Sequence, residues 1–323
     1  NVGIVNVPDP RLDQIAKIAQ SQNIIPTHME FVDVAGLVKG AASGEGLGNQ
    51  FLSHIREAQA ICHVVRCFTD KDITHVSGKV DPLDDIETID TELCLADLQT
   101  IEKALVKTQS KSKSGDKTAL AQTQTLKQLQ TWLNNSQSLR DCTLSEAMIE
   151  VINQLHLLTA KPLMFVANVD EESKDNQALQ VLKQYAHEKN TQLLIISAKI
   201  ESELAELPPE EKTAFLQEMG YEEPGLNRII RAAYNLLNLH TFFTAGPKEV
   251  RAWTIPKMST APQAAGVIHT DFEKGFIKAE VISYDDFIEY KSEHKVKEAG
   301  KMRVEGKAYV VKNGDVIHFL FNV

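Results

Sequence analysis

Residues 31–51 read FVDVAGLVKGAASGEGLGNQF, in which an apolar run ends in Asp33-Val34-Ala35-Gly36 and glycines follow at 40, 44, 46 and 48. A buried strand would deliver the Asp33 carboxylate to the mouth of a sheet in this way. That carboxylate can hold a magnesium ion, usually through water, while the Gly36 backbone N–H meets a terminal phosphate. Taken alone, D-x-x-G also fits a plain strand end with a turn glycine. Its place after an apolar strand and before a glycine-rich segment favours the phosphate reading.

A second element closes a later apolar run: Asn168-Val169-Asp170-Glu171 in FVANVDE. GTPases carry N-K-x-D at such a strand end, where the Asp accepts two hydrogen bonds from guanine and the Lys stem lies over the base. Here Val169 takes the Lys position and Glu171 the Asp position. One extra methylene misplaces the carboxylate for the paired contact, and buried polar mismatches discriminate strongly. Guanine selectivity is therefore expected to weaken, which opens the site to adenine. The third element, Ser197-Ala198-Lys199 after LLII, matches the S-A-K loop that sets backbone N–H groups beside the base. Three elements in this order, each at a strand end, are far more specific than any one.

Composition agrees with a globular chain. The 323 residues are 43% hydrophobic and 24% charged, with a net charge of −10, which allows a sizeable core and two or three domains. The acidic excess is uneven: from His240 to Val323 there are 12 Lys+Arg against 11 Asp+Glu. The tail can therefore still meet RNA. Cys62, Cys67, Cys94 and Cys142 form no C-x-x-C pair and read as buried free thiols in a reducing compartment. No apolar run approaches the ~18 residues of a membrane span. The opening NVGIVNVPDPRLD reads as material from the middle of a domain, with the cytoplasm as the default location.

The elements that must position these residues follow from periodicity. Val2, Ile4, Val5 and Val7 mark a strand, and Asp9-Pro10 opens a helix with Leu12, Ile15 and Ile18 on one face. HMEFVDV, AICHVVRCF, KPLMFVANV and TQLLIISA read as further strands, and QFLSHIREA as a helix. Continuous apolar strands separated by helices predict an α/β fold with a mostly parallel, doubly covered sheet. From about Asp84 to Thr159 the pattern becomes helical, with a break at SKSKSGDKT, predicting an inserted helical hairpin. EPGLNRIIRAAYNLLNL is a strong helix that closes the sheet domain. EVRAWTI, FIKAEVI, KAYVV and VIHFLF then read as strands of a small separate domain, with a hairpin at Asn313-Gly314. The expected division is 1–83 with 160–239, an insertion at 84–159, and a tail domain at 240–323.

Together these features resemble the YchF family, the Obg-related branch of P-loop NTPases. The residues that carry the resemblance are FVDVAGLVKGAASGEGLGNQFLSHIREA, HVVRCF, NVDE, and the tail from TFFTAGPKEVRAWTI to GDVIHFLFNV. The match runs from Asn1 to Val323. It implies a P-loop NTPase domain, a helical coiled-coil insertion and a C-terminal TGS domain of β-grasp fold. It further implies magnesium-dependent hydrolysis of ATP in preference to GTP, and association with ribosomes, with rRNA met through the TGS and helical domains. No G-K-[ST] loop occurs in the chain, so a β–P-loop–α unit of roughly 30–40 residues is expected before Asn1. A ribosome- or RNA-binding scaffold without a working nucleotide site is the alternative for the chain as given.

Where many GTPases place a water-orienting Gln after D-x-x-G, this chain has Leu37. His75, in DITHVSGKVDP, is the candidate to take over, because a near-neutral imidazole can position water or accept its proton. The family has a histidine at this place that is proposed to act in hydrolysis. In the tail, Lys248, Arg251, Lys274 and Lys278 are the resemblance's candidates for an RNA-facing surface.

Overall fold

The computed structural model describes residues 1–34, 47–70, 79–112, 116–170 and 176–322. The chain opens with β1 (Val2–Asn6), α1 (Pro10–Ala19), β2 (Asn23–Ile25), β3 (His28–Val32), α2 (Leu47–Glu57) and β4 (Ile61–Arg66). It continues through α3 (Pro82–Ser112), α4 (Lys117–Asn134), a 3-10 turn (Leu139–Asp141), α5 (Glu146–Leu155), β5 (Leu163–Asn168), α6 (Gln177–Glu188) and β6 (Leu193–Ile196). Next come α7 (Ala198–Glu206), α8 (Pro209–Glu218), α9 (Gly225–Leu236), β7 (Leu239–Ala245), β8 (Glu249–Pro256) and α10 (Ala261–Ile268). The last elements are α11 (Thr270–Lys274), β9 (Phe276–Ile282), α12 (Tyr284–Tyr290), α13 (Glu293–Glu298), β10 (Arg303–Glu305) and β11 (Val316–Phe321). Two compact units result: Val32–Leu226 with Asn1, and Val2–Phe31 with Asn227–Val323.

In the first unit β4, β5 and β6 form a parallel sheet with β5 in the centre. Leu163 to Ala167 are all buried, as the unbroken apolar run of LMFVA requires of a strand covered on both faces. Val65, Phe165, Ala167, Leu179 and Leu182 share its core. The helical insertion forms as expected. α3 and α4 bury Ile101, Leu105, Leu126, Leu129 and Leu133 in one cluster, with Leu139 and Ile152 beside them. At its root Asp97 is fully buried and accepts three hydrogen bonds, from Leu158 N (2.8 Å), Thr159 N (2.8 Å) and Thr159 Oγ1 (2.7 Å). Burial raises its carboxyl pKa and those donors oppose the shift. The carboxylate thus ties the insertion to the chain entering β5.

The second unit is built on a six-stranded mixed sheet in the order β10-β9-β11-β7-β8-β2. β11 lies between β9, antiparallel, and β7, parallel, so the last strand of the chain fills the middle of a β-grasp sheet. One face packs Phe242, Ile255, Val281 and Phe319 against the alanines of α10. The other packs Phe243, Val250, Ile282 and Val316 against Leu12 and Ile15 of α1 and against α12 and α13.

This differs from the division expected at residues 83 and 240, because residues 2–31 group with the tail. β2 extends the tail's sheet in parallel register with β8, Asn23 to Ile25 against Glu249 to Arg251. The Tyr234 hydroxyl of α9 bonds to Thr241 Oγ1 (2.8 Å) and Thr254 Oγ1 (3.1 Å), and Thr254 Oγ1 to Thr27 Oγ1 (2.7 Å). Arg11 donates to Asp9 Oδ2 (2.7 Å) and Asn313 Oδ1 (3.2 Å) and lies over the Phe243 ring. The three-residue strand β2 carries no alternation that sequence reading can use. The expected Asn313-Gly314 hairpin is also replaced. KAYVV bonds instead to the segment before α10, through Ala261 N to Tyr309 O (2.8 Å) and Val311 N to Ser259 O (2.9 Å). Asn313 Oδ1 is taken by Thr241 N and Arg11, and Gly314 turns at a φ of +94°.

All four cysteines are free thiols. Burial pushes Cys62 and Cys67 up to about 11 and Cys94 up to about 12, so none is a ready nucleophile. Among the described residues no helix is long and apolar enough to cross a membrane.

His63 on β4 packs beside Phe165 with its ring centroids 5.8 Å apart, and its Nδ1 is buried without a hydrogen-bond partner. Burial, with a smaller contribution from the charge of Arg140, lowers its pKa from 6.5 to about 4. Between those values the unfolded chain binds more protons than the folded one, so stability falls as pH drops through that window. His63→Phe should lose about 2–3 kcal/mol less than the parent between pH 7 and 4.5, read by urea unfolding. Equal losses in the two proteins would remove His63 from the acid response.

Candidate nucleotide-binding site

The carboxyl ends of β4, β5 and β6 are flush, because Arg66 pairs with Asn168 and Asn168 with Ile196. A parallel sheet offers its ligand crevice at this rim. Asn168 Oδ1 accepts from Ala198 N at 2.9 Å, which joins the N-V-D-E and S-A-K segments and leaves the Asn168 amide NH2 as a donor. Ser197 is buried and its Oγ accepts from Ile200 N, capping α7. Ala198 and Lys199 stand exposed at the rim on the first turn of that helix. Its open amides and positive helix end favour electron-rich groups. Val169 turns inward: it is 5% exposed within the core cluster, and its N–H donates to Ile196 O at 2.9 Å.

Asp33 follows β3 and is exposed, with its N–H donating to Asn1 O at 2.8 Å. β3 pairs with β1 in a two-stranded ribbon, whereas β4, β5 and β6 form their own sheet. The two halves of the site therefore stand on different sheets among the described residues. A single exposed carboxylate fits a magnesium ion that keeps most of its water and shares phosphate oxygens. Among the described residues no group of three His, Cys, Asp or Glu side chains forms a closed cage. Gly36, His75 and Glu171 lie outside the described residues.

Sequence reading passed over three residues that shape this rim. Arg66 donates through Nε to Phe68 O (3.1 Å) and stacks over the Phe68 ring at 4.6 Å, ordering the chain that leads from β4 toward His75. Asn176 caps α6, its Oδ1 accepting from Leu179 N (2.8 Å), while its Nδ2 donates to Cys67 O. Asn before an amphipathic helix is a legible cap signal; its second bond, to the residue after β4 and 109 positions away, is not. Glu201 of α7 accepts from Gly225 N (2.7 Å) and Leu226 N (3.0 Å), holding the start of α9.

Gly225 is required by close approach. A Cβ there would meet Glu201 Oε1 at 2.7 Å and Ile196 Cγ2 at 2.9 Å, the latter on a rim strand. Gly225→Ala should cost about 1–3 kcal/mol in urea unfolding. A cost near zero would show that Glu201 is not held in this cap.

Comparison with known proteins gives a consistent result. Residues 239–322 match the model of the C-terminal domain of YchF GTPases, described as a protein of unknown function. Residues 11–103 match a model described as a 50S ribosome-binding GTPase. A protein of Escherichia coli O157:H7 named ribosome-binding ATPase YchF is 57% identical over 324 residues, spanning 100% of this chain and 89% of its own. A protein of the same name from Bacillus subtilis (strain 168) is 50% identical over 327 residues, with the same coverage. The structure of the Schizosaccharomyces pombe YchF GTPase superposes with a TM-score of 0.89 at 37% identity, covering 99% of this chain and 87% of that one.

Proposed function

The chain belongs to the YchF family, and from that premise we propose that it is a magnesium-dependent ATPase that prefers ATP to GTP and works on the ribosome. The hydrogen bond from Ala198 N to Asn168 Oδ1 carries the reading, since it assembles a base-binding rim from two segments far apart in sequence. Relatives named ribosome-binding ATPase support the activity, the partner and a cytoplasmic location.

In this reading the base lies against Asn168 and the Ser197–Lys199 turn, with Glu171 beside it. Val169 puts no lysine stem over the base, and a glutamate in place of aspartate removes the paired contact to guanine. Asp33 would hold the magnesium ion through water, and the ion would neutralise charge on the phosphates. The Gly36 N–H meets the terminal phosphate. His75 positions the attacking water and accepts its proton, as the water oxygen bonds to phosphorus and the bridging P–O bond breaks toward ADP. ATP holds the segment after Gly36 in one state and hydrolysis releases it.

Titration of the purified protein with fluorescent ATP and GTP analogues, with magnesium present, tests the nucleotide reading. ATP is expected to bind at least tenfold tighter, and Asn168→Ala to weaken both. Binding of neither nucleotide would replace the ATPase by a ribosome-associated scaffold. His75→Ala is expected to keep ATP binding and lose turnover by about 10²–10⁴-fold; unchanged turnover would remove His75 from the mechanism.

A further inference from the structure

At the end of the β4–β5–β6 sheet opposite the candidate nucleotide rim, a cleft of about 620 Å³ opens where the last turns of α2 and α5 meet the lead-in to β5. β4 and β5 run from Ile61 and Leu163 at this end to Arg66 and Asn168 at the rim, a span of roughly 17 Å at about 3.3 Å per residue. The cleft is therefore separate from the nucleotide site. Its volume falls in the range of small-molecule pockets, about 300–1,000 Å³. Ile152, Leu155, Leu157 and Ala160 give it an apolar wall, with Ile152 and Leu157 buried.

Two cationic side chains line the same cleft, Arg56 and Lys161. Lys161 Nζ donates to Arg56 O (3.0 Å) and to Ala58 O. Arg56 Nη2 donates to the Thr100 hydroxyl at 3.1 Å. Among the described residues none of these partners is a carboxylate. A guanidinium has five N–H donors, and no Arg56 nitrogen is buried without a partner, so its spare donors open to solvent. Burial holds the Lys161 pKa below its usual value; Asp97 opposes that shift, and the charge of Arg56 adds to it. The Asp97 carboxylate is already taken by its three hydrogen bonds. The other acid at the cleft, Glu57, is exposed, and so is His156, a further basic side chain.

We propose that this cleft binds a small organic anion, a carboxylate on an apolar body, with Arg56 and Lys161 holding the carboxylate and the wall from Ile152 to Ala160 covering the body. Partly buried charges favour a partner of opposite sign, and the planar guanidinium matches a carboxylate edge. An inorganic oxyanion would leave the apolar wall wet, and a neutral apolar molecule would leave the cations unpaired. A lysine at a helix carboxyl end is also favoured by the helix dipole. That role accounts for Lys161 at the end of α2 but not for Arg56, whose side chain turns to Thr100 of α3.

The test uses the whole chain with three probes: phenylbutyrate, its neutral amide and inorganic phosphate. Binding is followed by NMR of the Ile and Leu methyl groups, with Ile152, Leu155 and Leu157 assigned by single substitutions. Phenylbutyrate should shift these signals saturably, with a Kd at or below about 1 mM. The amide and phosphate should each bind about tenfold more weakly or worse, as expected for loss of the charged hydrogen bonds or of the apolar contact. Arg56→Gln, which can keep the Thr100 bond, should weaken phenylbutyrate binding by about tenfold, and Lys161→Gln likewise; if Lys161→Gln does not fold, Arg56→Gln decides. Unmoved methyl signals would overturn the site and leave Lys161 as a helix cap alone. Equal binding of the amide would overturn anion recognition, and equal binding of phosphate would overturn the apolar half of the site. Unchanged affinity in Arg56→Gln would overturn the carboxylate contact assigned here.

Discussion

The in-register parallel ladder centred on β5 is the constraint on which the candidate site depends. Leu163–Ala167 is buried throughout, and it has β4 on one side and β6 on the other. A strand in that setting cannot slip without moving its side chains to wrong positions on both covered faces. Its register sets where Asn168 stands, and the bond to Ala198 follows from the end of β6 being level with it. Arg66 and Asn176 then bond to the residues just past β4, at Phe68 O and Cys67 O.

Polar groups with several partners make the joints between elements. Asp97 stitches α3 to the lead-in of β5. Glu201 holds the start of α9 through two backbone N–H groups. The Tyr234 hydroxyl and the Thr27–Thr254 pair join α9, β7, β8 and the turn before β3. Each lies where an unpaired buried donor or acceptor would be costly, so each fixes a geometry that apolar packing alone leaves adjustable.

Residues 7–27 connect the two strands of the β1–β3 ribbon. They leave β1, contribute α1 and β2 to the β-grasp unit, and return as β3, which ends one residue before Asp33.

The sequence by itself determined the order of elements, the helical insertion and the three strand-end motifs, because each is written in local periodicity or in residue types at fixed spacing. Apolar runs of strand length, the break at SKSKSGDKT and the Asp9 cap before Pro10 are local signals of this kind. Family membership followed from the motifs in order. Only the tertiary structure decided that β2 joins the tail's sheet, that KAYVV is no hairpin strand, and that Val169 faces the core. β2 has three residues and no usable alternation, and its partner β8 lies more than 220 positions away. Asn313 gives a hairpin signal, but distant partners, Arg11 and Thr241 N, claim its side chain. Long-range pairing of this sort is chosen by the free energy of the assembled core, which no short window of sequence contains.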